Sequence, residues 1–140
     1  TWGLPELREA IANKTERFYG FRPNPHTEVT VTCGVTEAVI SALVGLVDKG
    51  DKVVILEPAH ENYHAGVVFA GVEAIWVPIR PPEFEFDPDE LKKAFAQPNV
   101  KAVIFNTPHN PSGRVFRYDE LQEIADLCIK YDVFAIADEI

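Results

Sequence analysis

KVVILEPAHENYHAGVVFAGVEAIWVPI, residues 52–79, holds two apolar runs separated by one segment of helical length. KVVILE (52–57) and VEAIWVPI (72–79) are short and rich in β-branched side chains, the pattern of strands buried on both faces. Residues 61–70 between them suit a helix, and Gly71 supplies the left-handed residue that ends one. A strand, a helix and a second strand within roughly thirty residues make a parallel pair joined by a crossover.

The same alternation continues in both directions. Upstream, Pro5 at a first helical position, Leu4, Leu7, Ile11 and Phe18 at near-helical spacing, and Gly20 as a stop predict a helix over 5–19. EVTVT (28–32) alternates like a strand, 36–47 is an apolar-faced helix, and Gly50 closes it. Downstream, PPEFEFDP (81–88) reads as a loop. Asp87 then caps a helix with Pro88 at its first position, Glu90 completing a variant capping box. VKAVIFN (100–106) is a strand, TPHNPSGR (107–114) a loop, 118–131 a helix and 133–138 a strand. Strands joined by helical crossovers predict an α/β fold, a mostly parallel sheet with helices on both faces. No repeat, linker or shift of composition interrupts it, so residues 1–140 are read as one structural unit.

Composition narrows the function classes. A hydrophobic content of 46% with 25% charged residues is that of a chain with a real core. The net charge of −9, with scattered basic residues, points away from nucleic acid. No run approaches the apolar length of a membrane span. Two cysteines, Cys33 and Cys128, are too few for a disulfide scaffold, and a reducing, cytoplasmic setting is expected. The chain begins at Thr1, contains no methionine and stops on a strand at Ile140, so it is read as a fragment.

HENYH (60–64) fits the H-E-x-x-H pattern of zinc hydrolases. That chemistry needs both imidazoles on one helix and a third ligand farther along. Pro58 keeps His60 in a loop where the helix has barely begun, so the match is read as coincidence and no metal is expected.

In parallel sheets ligands gather beyond the carboxyl ends of the strands. Gly34-Val35-Thr36, Pro58-Ala59-His60, Arg80, Asn106–Gly113 and Asp138-Glu139 fall at that edge. Gly34 to Thr36 sits where a strand ends and a helix starts, a place suited to a phosphate and, for Thr36 alone, equally to an ordinary cap. Asn110 before Pro111 also suits a turn, and Asp138 also suits a cap. Tyr63 is read as packing, Arg80 and Arg114 as solvated charges.

VTCGVTEAV, LEPAHENY, NTPHNPSGRVF and IADEI, in this order and on alternating strands, resemble the class I/II aminotransferases of fold type I, which depend on pyridoxal 5′-phosphate. The resemblance runs from GLPELREAIA (3–12) onward and implies part of the large domain of a homodimer acting on an amino acid and a 2-oxo acid. It implies that Gly34, Val35 and Thr36 hold the cofactor phosphate, His60 lies against the ring, Asn110 bonds the phenolic oxygen, and Asp138 pairs with the ring nitrogen. The lysine that binds the cofactor covalently is expected beyond Ile140, which leaves the 140-residue chain without its catalytic base and inactive alone. A carbon–sulfur β-lyase of the same superfamily and a non-catalytic phosphate-binding α/β domain stay open.

Overall fold

The computed structural model describes residues 2–140. The chain forms two compact units, the first ending at Glu37 and the second running from Ala38 to Ile140. The division falls inside a continuous helix, which is why no linker composition marks it in the sequence.

In the first unit, helix α1 (Pro5–Tyr19) has the predicted bounds. Proline's fixed φ and missing N–H suit its position at the start, and Gly20, in the left-handed region at φ 77°, returns its N–H to the Glu16 carbonyl. The predicted apolar stripe is largely exposed: Leu4, Leu7 and Phe18 all remain open, and Ala12 is the buried residue of the helix. The predicted strand at 28–32 does not form a ladder. β-branched alternation makes a strand only where a neighbouring row of backbone groups is available, and here Val31 N–H bonds the Trp2 carbonyl at 3.0 Å while Glu28 N–H turns back to the Asn24 carbonyl at 2.8 Å. Gly3 makes this approach possible. A Cβ there would lie 2.6 Å from the Val31 Cβ, and its φ of 94° disfavours any other residue.

Helix α2 (Gly34–Leu46) crosses into the second unit, which holds the sheet. Strands β1 (Lys52–Glu57), β2 (Glu73–Arg80), β4 (Val100–Asn106) and β5 (Phe134–Asp138) are parallel in the order β2-β1-β4-β5. A two-residue strand, β3 (Glu85–Phe86), adds antiparallel to the outer edge of β2, inside the segment read as a loop. Helices α3 (Glu61–Ala70), α4 (Pro88–Phe95) and α5 (Tyr118–Tyr131) supply the crossovers. Asp87 caps α4 by accepting from Asp89 N–H at 2.8 Å. Glu90, predicted to complete that cap, instead pairs with Arg80 through both oxygens at 2.8 and 2.9 Å, because Arg80 ends the neighbouring strand within its reach.

The central strands β1 and β4 are covered on both faces. Side chains alternate along a strand: Val54 and Leu56 join Leu91, Phe95, Ile124 and Leu127 in the core beneath α4 and α5. Val53 and Ile55 point to the other face and are equally inaccessible. On the helices, Gly66 of α3 lets Leu43 of α2 approach so closely that a Cβ would meet its Cδ1 at 3.0 Å. Fully burying one such aliphatic side chain contributes about 1.5–3 kcal/mol. No helix among the described residues is long and apolar enough to cross a membrane.

Candidate active site

The sheet order sets the site's position. From β1 the chain moves outward to β2, then returns to the other side of β1 to make β4, so the connections leave β1 and β4 in opposite directions. A crevice opens at such a switch point, beyond the carboxyl ends of the two strands. The segment after β1 carries His60, and the loop after β4 carries Asn110. These two residues line one hollow of about 300 Å³ with Ala59, Glu61 and Pro111. A larger hollow of about 580 Å³ lies between α4 and α5, at Lys92, Tyr118, Gln122, Asp126, Leu127 and Lys130.

His60 does not belong to a zinc helix. It is the N-cap of α3, its Nδ1 accepting from Asn62 N–H at 3.2 Å, while His64 lies inside the helix with its ring 5.8 Å from that of Trp76. Among the described residues no three potential ligands cluster.

Asp138 ends β5, opposite Asn106 in register, and is 6% exposed. Its Oδ2 accepts the Tyr63 hydroxyl at 2.6 Å and its Oδ1 accepts Ile140 N–H at 3.1 Å. Tyr63 is therefore more than packing. One turn into α3, it sits 5.8 Å ring to ring from His60 and connects that residue to Asp138. The His60–Tyr63 spacing of three residues could have suggested a shared helix face. Only the fold shows that this face meets the end of β5.

Burial, followed by the bond to Asp138 and its negative charge, pushes the Tyr63 phenol well above its usual value, so it remains a donor. The sign follows from linkage: above about pH 10 the unfolded chain releases this proton while the folded chain keeps it, and stability falls by about 1.4 kcal/mol per pH unit. Cys128, pushed up to about 11 by burial, adds to the same alkaline loss. Tyr63→Phe is expected to remove one unit of slope between about pH 10 and 12, checked by urea melts of both proteins across that range. Equal slopes would show that the phenol is not buried as described.

Two residues of the β4–α5 loop have surroundings that the sequence did not reveal. His109, 3% exposed, places Nδ1 2.7 Å from the Ser112 hydroxyl. Burial, opposed by the nearby Pro58 carbonyl and aided by the charge of Arg114, lowers its pKa. Arg114, expected to be solvated, is nearly enclosed. It grips both oxygens of Glu120 at 2.6 Å, donates to the Phe84 carbonyl at 2.8 Å and lies 5.1 Å over the Phe116 ring.

Gly34, Val35 and Thr36 open α2, in the first unit. Gly34 takes φ 84° with open space where a Cβ would lie. Glu37 turns back to accept Cys33 N–H, and Thr32 Oγ1 donates to the Gly34 carbonyl at 3.0 Å. The first turn of any helix presents N–H groups past its end, an arrangement that favours phosphate.

Within the second unit the donor set suits the ring of pyridoxal phosphate, with an enclosed carboxylate for its nitrogen and an imidazole and a carboxamide beside one hollow; in the first unit, the glycine-opened helix start by itself suits a phosphate.

The comparisons agree with this geometry. The chain is 40% identical to kynurenine--oxoglutarate transaminase 3 of Bos taurus and 36% identical to a methionine aminotransferase of Escherichia coli, each alignment covering 99% of the chain. It covers 32% and 36% of those proteins, about a third of their length. The crystal structure of an aromatic aminotransferase from Pyrococcus horikoshii superposes with a TM-score of 0.93 at 38% identity, over 100% of this chain and 37% of that one. The profile of the family described as aminotransferase class I and II matches residues 1–140. With strand-end loops, buried carboxylate and profile in agreement over its length, the chain belongs to the class I and II aminotransferases.

Proposed function

We propose that this chain forms the cofactor-holding part of an enzyme that moves an amino group between an amino acid and a 2-oxo acid. The observation that carries the reading is the buried Asp138 carboxylate, held by Tyr63 at the strand-end edge to which His60 and Asn110 also belong. Bound there, pyridoxal phosphate would supply an electron sink for a carbanion at the substrate α-carbon. Asp138 would hold a proton on the ring nitrogen, since an adjacent negative charge favours the protonated form. Tyr63 would keep that carboxylate in one orientation. Asn110 would donate its amide N–H to the phenolic oxygen and favour its ionised form, and His60 would cover one face of the ring. Gly34, Val35 and Thr36 would bind the phosphate through the start of α2. A homodimer in the cytoplasm is part of the same proposal; the free thiols of Cys33 and Cys128 suit a reducing compartment.

The test is to assay the full-length gene product, supplied with the cofactor, against kynurenine, methionine, aspartate and aromatic amino acids with 2-oxoglutarate. Matched formation of glutamate and a new 2-oxo acid is expected. Release of ammonia and pyruvate from a cysteine conjugate, without glutamate, would identify a lyase instead.

The 140-residue chain alone should behave differently. Lys52 and Lys101 lie at the entering ends of β1 and β4, Lys92 and Lys93 on α4, Lys130 near the end of α5, Lys49 before β1 and Lys14 within α1. A strand's length of about 15–20 Å separates the entering edge from the site. Borohydride reduction of the chain soaked in the cofactor is expected to leave no single stoichiometrically labelled lysine by peptide mass mapping. One fully labelled lysine would contradict this placement.

A further inference from the structure

A pyridine ring is rigid, so its nitrogen and its phenolic oxygen stand a fixed length apart, and the groups that meet them must be held to match. Asp138 is enclosed at the end of β5, whereas Asn110 is exposed in the loop between β4 and α5. Packing around its own side chain does not place Asn110. The neck of its loop can, and Thr107 is the residue at which that neck is tied.

Thr107 bonds in two directions. Its N–H donates to the Asp138 carbonyl at 3.0 Å, just past the last register pair of β4 and β5, Asn106 with Asp138. Its hydroxyl oxygen accepts Phe116 N–H at 3.0 Å, nine residues on, so the loop is closed between its first and last turns. Both sides of the neck are anchored. Phe116 is 4% exposed, with its ring 6.2 Å from that of Phe86, and the buried Asn106 donates its amide to the Pro108 carbonyl at 3.0 Å. One residue therefore touches both the backbone of the carboxylate and the closure of the loop that carries the carboxamide. Resting on the cofactor reading above, we propose that Thr107 is a positioning residue whose hydroxyl fixes Asn110 relative to Asp138 before the cofactor enters. A loop ordered in advance loses less freedom when a ligand binds. An enclosed N–H deprived of its acceptor favours the opened loop, where water can reach it.

The experiment uses the full-length gene product and pyridoxal phosphate itself as the probe, with two readouts: the cofactor Kd, and the visible circular dichroism per bound cofactor at saturation. Thr107→Val keeps the branched shape and the backbone N–H and removes the hydroxyl oxygen alone. It is expected to raise Kd by about tenfold, as for loss of one buried hydrogen bond, and to reduce the dichroism. Thr107→Ser restores the oxygen and is expected to return both readouts toward wild type. Asn110→Ala identifies the route. Alone it is expected to raise Kd, and in its presence Thr107→Val should change Kd by less than about twofold, because two changes that act through one contact are not additive. A hydroxyl that served stability only would exert its full effect in both backgrounds. The positioning role is overturned if Thr107→Val keeps wild-type Kd and dichroism, if Thr107→Ser fails to restore them, or if Thr107→Val raises Kd equally with and without Asn110. If wild type binds no cofactor, or Asn110→Ala leaves Kd unchanged, the cofactor reading itself fails and the positioning role falls with it. Should Thr107→Val not fold, Thr107→Ala removes the same oxygen and enters the same comparison, with the same outcomes deciding.

Discussion

Asp138→Ala in the full-length gene product is expected to lower transamination turnover by about a thousandfold while changing substrate KM far less. A buried charge left without its partner costs about 3–5 kcal/mol, and each 1.36 kcal/mol of barrier is a factor of ten in rate. Here the unpartnered group would be the protonated ring nitrogen, whose positive charge Asp138 is placed to balance. The loss belongs to turnover because the carboxylate acts on charge that develops during reaction, not on the part of the site that grips the amino acid. The fold itself should survive. Asp138 accepts from Tyr63 and from Ile140 N–H at the end of a strand, and the apolar contacts of that sheet do not depend on it. Steady-state kinetics with a responsive amino acid, alongside a thermal melt, separate the two effects. Turnover within about tenfold of wild type would remove Asp138 from the proposed role.

Arg114→Ala should destabilise the protein by about 3–5 kcal/mol, although Arg114 touches none of the residues assigned to the cofactor. Its guanidinium bonds both oxygens of Glu120, which is 6% exposed, and also the Phe84 carbonyl beside β3. Truncation would strand the Phe84 carbonyl and leave the buried Glu120 carboxylate with Arg117 alone, its N–H at 2.9 Å and its exposed guanidinium at 3.7 Å. With a urea slope of about 2 kcal/mol/M the denaturation midpoint would fall by about 2 M. Replacing both charges, Arg114→Met with Glu120→Leu, should recover much of the loss, because the penalty comes from the orphaned partner more than from the missing attraction. A loss below about 1 kcal/mol, the range of exposed pairs, would show that this pair is solvated.

Much of this chain could be read without coordinates, and the reasons are local. The bounds of α1, α3 and α5 match those predicted because proline, glycine and apolar periodicity act within a few residues of the helix they delimit. β1 and β4 were legible because a strand buried on both faces must be apolar throughout, and β2 and β5, partly exposed, by their short apolar, β-branched runs. The rule about strand ends picked out the segments that hold His60, Asn110 and Asp138, and the family resemblance singled out those residues within them.

What sequence missed depends on partners distant in the chain. EVTVT has the composition of a strand, but a ladder also requires a neighbour, and β3 formed in a stretch with three prolines because Ile79–Arg80 offered it an edge. Tyr63 and Asp138 are 75 residues apart, and no pattern within either segment announces that one donates to the other. His109 and Arg114 likewise read as ordinary loop polar residues until the crevice and β3 enclose them. Residue type and spacing determined which segments are helix or strand and which edge carries chemistry. Tertiary structure alone decided which polar groups are buried and paired, because a hydrogen bond or ion pair gains its strength from the exclusion of water by elements that the local sequence does not encode.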